Sequence, residues 1–197
     1  DVDGAMIDNC AASGSWLDGL KLRRMARNVT ILGGRYNNNG VSGAGDGIDV
    51  YAGGGRLSII GAEFCGNDGA GMTIKTGDLQ QSDPSDYGYV QDICLTDVRC
   101  NENTGMGIYL TVSDPTDLAE PLVNMVTING GMAIGNGEGT GVVTSGDGVY
   151  VNARNVSVHG FLSRNNRRHG FAVASRAMNT VFSGCMAVAN SQALAGG

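Results

Sequence analysis

The chain has 197 residues, a length that fits one domain with a sizeable core. Charged residues make up only 16 %, and the formal net charge is −6 at pH 7. Nucleic acids and anionic membranes bind basic surfaces, so this composition argues against either as the main partner. No apolar run reaches the length of a transmembrane helix.

One sequence unit recurs seven times along the chain, at intervals of 24 to 36 residues. Each unit opens with a short alternating run, such as Val29 and Ile31, that closes at a Gly, Asp or Asn. An asparagine follows six residues later in every unit but the first, where Ser15 takes its place. The asparagines are Asn39, Asn67, Asn103, Asn136, Asn166 and Asn190. A fixed internal pattern of this kind is typical of a repeat protein.

A second strand signal follows the bend, in the form Gly–apolar–x–apolar. It begins at Gly19, Gly47, Gly71, Gly107, Gly148 and Gly170. Two short strands and a tight bend, without helical periodicity, predict one coil of a parallel β-helix. A sandwich is disfavoured because hairpins do not repeat a same-sense pattern, and a propeller needs longer repeats. We therefore expect an all-β solenoid of about seven coils.

The asparagine suits this bend for two reasons. Asn tolerates the left-handed backbone region better than other non-glycine residues. Asn side chains stacked at successive bends also hydrogen-bond to one another, which holds stacked chains in register. We expect both effects at Asn39 and its equivalents.

The continuous repeat predicts a single domain over residues 1–197, which we expect to be a piece of a longer chain. Insertions at 76–91, 112–123 and 135–146 flank the sheet of the Gly–apolar–x–apolar strands, where they would wall a groove. Five cysteines without a C-x-x-C pair favour buried free thiols over a metal site. No motif indicates calcium or another cofactor.

Alternation predicts which side chains face outward from this sheet, and two polar clusters result. The first cluster contains Asp18, Lys21, Arg23, Asp46, Asp49, Tyr51 and Lys75. Asp18 and Asp46 fall on adjacent coils about 5 Å apart, a spacing that suits the carboxyl pair of a retaining glycosidase. We predict Asp46 and Asp49 as acid/base residues, with Lys75 as an alternative base if its pKa is lowered.

The second cluster contains Asp147, Tyr150, Asn152, Arg167, Arg168 and His169. Asp147 and His169 are neighbours on successive coils, which is the relation of a histidine oriented by a carboxylate. We count both as further candidate catalytic residues.

Three of the six tyrosines, Tyr51, Tyr109 and Tyr150, are predicted to face outward on this sheet and offer flat surfaces for sugar rings. Together with Arg23 and Asn152 they are the candidate substrate-binding residues. A plainer interpretation stays open for both clusters. Outward Asp/Lys pairs are commonly solvated cross-strand partners, and tyrosines are ordinary strand formers.

The repeat resembles, over essentially the whole chain, the right-handed single-stranded parallel β-helix superfamily of pectate lyases, polygalacturonases, alginate epimerases and phage tailspike depolymerases. The sharpest local piece is Gly45-Asp46-Gly47-Ile48-Asp49-Val50. It is similar to the Asn-Thr-Asp-Gly-Ile-Asp stretch of polygalacturonases, which implies a catalytic role for Asp46. The Asp-Asp pair and the Gly-His-Gly motif of that family are missing at Gly69-Ala70 and Gly105-Met106-Gly107.

We therefore predict an enzyme that degrades a polysaccharide, as a hydrolase or a lyase, most like the tailspike depolymerases. The resemblance also implies a homotrimer in an extracellular or virion-associated setting. The competing prediction is a carbohydrate-binding, adhesive or structural fibre segment without catalytic activity.

Overall fold

The computed structural model describes residues 3–23, 26–41, 45–51, 54–76, 90–112, 123–137 and 146–191. Within these ranges the chain is all β, with eighteen strands and no helix, so no described segment can cross a membrane as a helix. Strands are numbered β1 to β18 along the chain. All neighbouring strands pair in parallel, as the same-sense repeat predicts.

The alternating apolar runs form a seven-stranded sheet in which strands of consecutive units are neighbours. Its strands are β1 (Asp3–Asp8), β4 (Arg27–Leu32), β7 (Gly54–Ile60), β9 (Val90–Thr96), β11 (Val123–Asn129), β14 (Ala153–His159) and β17 (Met178–Ser183).

The Gly–apolar–x–apolar segments form a six-stranded sheet in the same unit order. Its strands are β3 (Leu20–Arg23), β6 (Ile48–Tyr51), β8 (Met72–Lys75), β10 (Ile108–Thr111), β13 (Val149–Val151) and β16 (Phe171–Val173).

A third array of short strands, which the sequence did not predict, follows the first strand in five of the seven units. It consists of β2 (Ala11–Ser13), β5 (Arg35–Asn37), β12 (Met132–Ile134), β15 (Leu162–Arg164) and β18 (Met186–Val188). Single parallel bridges at Glu63 and Arg99 connect β5 to β12 across the two intervening units. Each complete unit thus adds one row to each of three parallel arrays, an arrangement compatible with a β-helix.

Alternate side chains of the three arrays enter one hydrophobic core. Val29 and Ile31 enter it from the seven-stranded sheet, and Ile48 enters it from the six-stranded sheet. The third array contributes Tyr36 and Phe64, whose rings stack at 5.4 Å between centroids. The same row contains Cys100, Ala133 and Ser163, and all three are fully buried.

The predicted asparagine ladder is confirmed. Side-chain amides donate to the amide oxygen of the next unit at 2.8–3.0 Å from Asn39 through Asn190. The same oxygens also accept the backbone N–H of the preceding asparagine, as from Asn67 to Asn103 at 3.0 Å. The second amide hydrogen reaches a backbone carbonyl, as from Asn103 to Phe64 at 3.0 Å. The buried asparagines therefore bond both to the unit before them and to the unit after them.

The expected left-handed conformation lies one residue earlier than predicted. The ladder asparagines do not have positive φ, whereas the residue before each of them does, for example Asn38 at 55° and Glu102 at 56°. The residue before makes the sharp bend, and this frees the asparagine side chain to point along the stack. The Gly or Asp that closes the first run is also left-handed, including Asp97 at 50°.

Two smaller expectations have different outcomes. Of the five free cysteines, Cys100 alone is fully buried, while Cys10 is exposed and the rest are half-buried. The prediction of buried thiols is therefore correct for Cys100 only. Most of the three predicted groove-wall insertions, 76–91, 112–123 and 135–146, lies outside the described residues.

Replacement of Asn103 by Ala tests the ladder. It removes four amide hydrogen bonds from a fully buried position. We expect a loss of about 3 kcal/mol or more of unfolding free energy, because buried donors and acceptors on three neighbours lose their partner. Urea denaturation of the native chain and the variant measures this loss. Asn124→Ala, which removes one exposed amide–amide bond to Asn155, is the matched control and should cost less than about 1 kcal/mol. Equal losses in the two variants would contradict the ladder's structural role.

Candidate functional site

The outer face of the six-stranded sheet carries the residues that the alternation predicted, in the predicted rows. One row runs through Lys21, Asp49, Thr73, Tyr109, Tyr150 and Ala172. The neighbouring row runs through Arg23, Tyr51, Lys75 and Thr111. Parallel strands lie about 4.8 Å apart, so each of these side chains directly faces its row neighbours.

Asp49 is the centre of the first cluster. Its carboxylate is 2.7 Å from Nζ of Lys21 and 3.3 Å from Nζ of Lys75, and only 2 % of the residue is exposed. Lys21 also contacts Asp18 at 2.9 Å. Partial burial alone would lower the Lys21 pKa, but the bonds to Asp49 and Asp18 together raise it. Asp49 faces outward as predicted, but the two lysines cover it.

Asp46 has a carboxyl group with a strongly shifted pKa. Burial raises the pKa of Asp46 to about 6, and the charges of Asp49 and Asp18 add to the rise. Hydrogen bonds from the Thr73 hydroxyl and the Ala70 N–H, the latter at 2.7 Å, act in the opposite direction. Thr73 and Ala70 were not predicted as site residues, because a hydroxyl and a backbone N–H carry no sequence signal.

The aspartates of this column also have a structural task. Asp18 accepts the N–H of Asp46 at 3.0 Å, and Asp147 accepts the N–H of His169 at 3.0 Å. Asp46 likewise accepts the backbone N–H of Ala70. The carboxylate of each aspartate therefore binds a backbone N–H of the following unit. Asp side chains accept backbone N–H groups in a similar way in Asx turns.

Tyr51 departs from the prediction of an exposed aromatic ring. Only 8 % of it is exposed, because Arg23 lies 5.2 Å and Lys75 lies 5.5 Å from the ring centroid. These distances suit cation–π contacts. Tyr51 thus positions the two cations and offers little open surface to a sugar ring.

The second cluster contains the predicted carboxylate–histidine pair. Nδ1 of His169 is 2.8 Å from Oδ1 of Asp147, and Nη1 of Arg168 is 3.5 Å from the other carboxylate oxygen. Asp147 is fully buried, while about half of the His169 side chain is exposed. The carboxylate therefore fixes the ring and leaves its second nitrogen free to meet a ligand.

Tyr109 and Tyr150 connect the two clusters. Their rings meet edge to face at 5.3 Å, and both are half-exposed on the outer face. Burial raises the pKa of Tyr150, and the nearby Tyr109 and Asp147 add to the rise. Asn152 is only 5 % exposed, so its predicted contact with substrate would need neighbouring groups to move.

The two clusters do not form one site. Four strand spacings separate Asp46, at β6, from His169, at β16, which is about 19 Å. Asp46, Asp49 and Lys75 are together at one end of the face, and Asp147 and His169 are at the other. Among the described residues no three His, Cys, Asp or Glu side chains are arranged to hold a metal ion.

Comparisons of the chain with protein-family models, curated protein sequences and solved structures find no match. The geometry of the two clusters is therefore the basis for any functional proposal.

The Asp46 pKa is open to direct measurement. We expect its carboxyl signal, observed by ¹³C NMR, to titrate near pH 6. Because the folded pKa exceeds the unfolded one, the folded chain binds the extra proton between about pH 4 and 6. The stability due to protonated Asp46 is therefore lost as pH rises through that window, by up to about 3 kcal/mol. Asp46→Asn should lack this component in urea titrations, and identical pH profiles would contradict the assignment.

Proposed function

We propose that the chain forms a right-handed single-stranded parallel β-helix of about seven coils, and that it degrades a polysaccharide bound on its six-stranded sheet. Three parallel arrays around one core, with a ladder asparagine in six of the seven units, support the solenoid. The observation that carries the enzymatic proposal is Asp46, a carboxyl group with a pKa of about 6 beside two further aspartates and two lysines. Perturbed groups of this kind concentrate at catalytic sites.

Asp46 would act as the general acid. A carboxyl group with a pKa near 6 keeps its proton in part at neutral pH and donates it to the departing glycosidic oxygen as the C–O bond breaks. Asp18, whose carboxylate accepts the Asp46 N–H, would be its partner as base or nucleophile. Asp49 is occupied by lysines on both oxygens, so its task is to position them.

The lysines keep the lyase alternative open. Elimination from a uronate needs a cation that neutralises the sugar carboxylate, and Lys75 and Arg23 lie together over the Tyr51 ring. The ammonium of Lys75 is ion-paired to Asp49, which favours the neutralising role over that of a base. Tyr109 and Tyr150 would hold the polymer along the strands' outer face.

A non-catalytic role is the competing function. It is favoured by the backbone hydrogen bonds that Asp18, Asp46 and Asp147 accept, since all three have a structural reason to be present. The protein would then be a sugar-binding, adhesive or structural fibre segment. In either case, the resemblance to tailspike depolymerases leads us to propose a homotrimer in an extracellular or virion-associated setting.

Substitution of Asp46 by Asn tests catalysis. On a panel of acidic and neutral polysaccharides, we expect the native chain to release fragments and the variant to be slower by a factor of about 100 or more, because the proton donor is lost. The native rate should fall as pH rises above about 6. New reducing ends alone would indicate a hydrolase, and ultraviolet-absorbing unsaturated ends would indicate a lyase.

Two controls make the result specific. Asp97→Asn, an exposed substitution of the same type after β9, should leave the rate unchanged. Cleavage that survives in Asp46→Asn but is lost in His169→Ala would move the site to the second cluster. Binding without cleavage of any polymer would favour the fibre segment.

Replacement of Tyr109 by Ala tests the binding role of the outer face. We expect polymer affinity to fall by a factor of about 10, because a half-exposed ring is removed, while the rate at saturation stays the same. Tyr109→Phe keeps the ring and should bind nearly as the native chain does. Equal affinity in native chain and Tyr109→Ala, measured by affinity electrophoresis, would place the polymer elsewhere.

A further inference from the structure

The Asp46 carboxyl group is held in place by the unit that follows it in the chain. Its Oδ1 accepts the Ala70 N–H at 2.7 Å. The Thr73 hydroxyl donates a second hydrogen bond to the same carboxyl group. Thr73 lies beside Asp49 in the register of β6 and β8, and only 5 % of the residue is exposed. Two donors of one unit thus converge on an acid of the unit before it.

Gly69 leaves the space that this contact needs. A Cβ atom at residue 69 would overlap Oδ1 of Asp46 and would lie 3.0 Å from the carbonyl oxygen of Gly45. Gly69 does not have a positive φ, so the position requires a small residue for space and not for backbone conformation. Together, Gly69, Ala70 and Thr73 form what we call the Asp46 clamp.

The aspartate column itself does not require the hydroxyl of the clamp. Asp147 occupies the same column as Asp46 and accepts the His169 N–H at 3.0 Å. The row that contains Thr73 continues to Ala172 in the unit after Asp147. A methyl group therefore suffices where the aspartate only binds the backbone, which indicates that the Thr73 hydroxyl has a task at the Asp46 carboxyl group.

The surroundings of Asp46 otherwise oppose its ionisation. Burial raises the pKa of Asp46, and the charges of Asp49 and Asp18 add to the rise. The ammonium groups of Lys21 and Lys75 are both ion-paired to Asp49. The two clamp donors act in the opposite direction, because each of them stabilises the negatively charged carboxylate.

We infer that Thr73 is a positioning residue, which stabilises the carboxylate that forms when Asp46 gives up its proton. The inference rests on the proposed role of Asp46 as the general acid. In that step the proton passes from Asp46 to the glycosidic oxygen, which also takes the electron pair of the breaking C–O bond. The anomeric carbon bonds to the Asp18 carboxylate or to water, and Asp46 is left as a carboxylate.

The Thr73 bond strengthens during this step, because a hydrogen bond to an ionised acceptor is stronger than one to a neutral acceptor. An interaction that is stronger in the transition state than in the bound substrate raises the rate of the chemical step. It does not tighten the binding of the substrate. Loss of the hydroxyl should therefore lower kcat and leave KM unchanged.

Thr73→Val, which removes the hydroxyl and keeps a branched side chain, tests the inference. We expect the Asp46 carboxyl signal in ¹³C NMR to titrate about 0.5 to 1 pH unit higher than in the native chain, because the charged form loses a donor. With a polymer that the native chain cleaves, kcat at about pH 5 should fall by a factor of about 3 to 10. Thr73→Ser restores a hydroxyl and should return both values toward those of the native chain.

Thr111→Val is the matched control. Thr111 is 4 % exposed, lies on the neighbouring strand β10, and donates its hydroxyl hydrogen to the Val112 carbonyl. Its replacement should change neither the Asp46 titration nor kcat. An unchanged titration in Thr73→Val, an equal shift in Thr111→Val, or a Thr73→Val variant with native kcat would overturn the inference.

The carboxyl titration needs no substrate, which separates this inference from the proposed function. If Thr73→Val shifts the titration but the native chain cleaves no polymer, the catalytic proposal fails, and Thr73 is still confirmed as the residue that stabilises the Asp46 carboxylate.

Discussion

Amide–amide hydrogen bonds from Asn39 to Asn190 are the interaction on which the rest of the structure depends. Asn103, for example, uses its oxygen for the previous unit and its two amide hydrogens for the next unit and for the Phe64 carbonyl of the previous unit. A one-residue slip would break all of these bonds and also expose the core face of the strands. The ladder therefore fixes the register of all three arrays at once, and that register determines which polar side chains meet.

The outer face of the six-stranded sheet follows from this register. In this sheet, equivalent residues of successive units lie side by side, so an identical charged residue in each unit would place like charges next to one another, which is unfavourable. The chain avoids this, because Lys21, Asp49 and Thr73 follow one another in one row. Asp46 stands beside that row, where burial raises its pKa. The same packing that stabilises the sheet thus creates an unusually weak carboxylic acid. We propose that this one cluster serves both structure and catalysis.

Much of this architecture could be predicted from sequence because period-two alternation and a fixed Gly–Asn spacing survive in nearly every unit. The Lys21–Asp49–Lys75 contacts and the Asp147–His169 pair followed from row position alone. The third array could not be predicted, since three-residue strands such as Arg35–Asn37 bury one side chain and show no alternation. The burial of Tyr51 and the raised pKa of Asp46 depend on how neighbouring side chains pack across units, which sequence spacing does not encode.

The most direct test of the account is a crystal structure of Asp46→Asn grown with oligosaccharides of the polymer that the native chain binds most tightly. We predict sugar density along the outer face of the six-stranded sheet, against Tyr109 and Tyr150, with a glycosidic oxygen within hydrogen-bonding distance of residue 46. The same structure should show that the chain winds in a right-handed coil, with the three parallel arrays around one core. Sugar bound only on other faces, or a glycosidic oxygen far from residue 46, would contradict the proposed site.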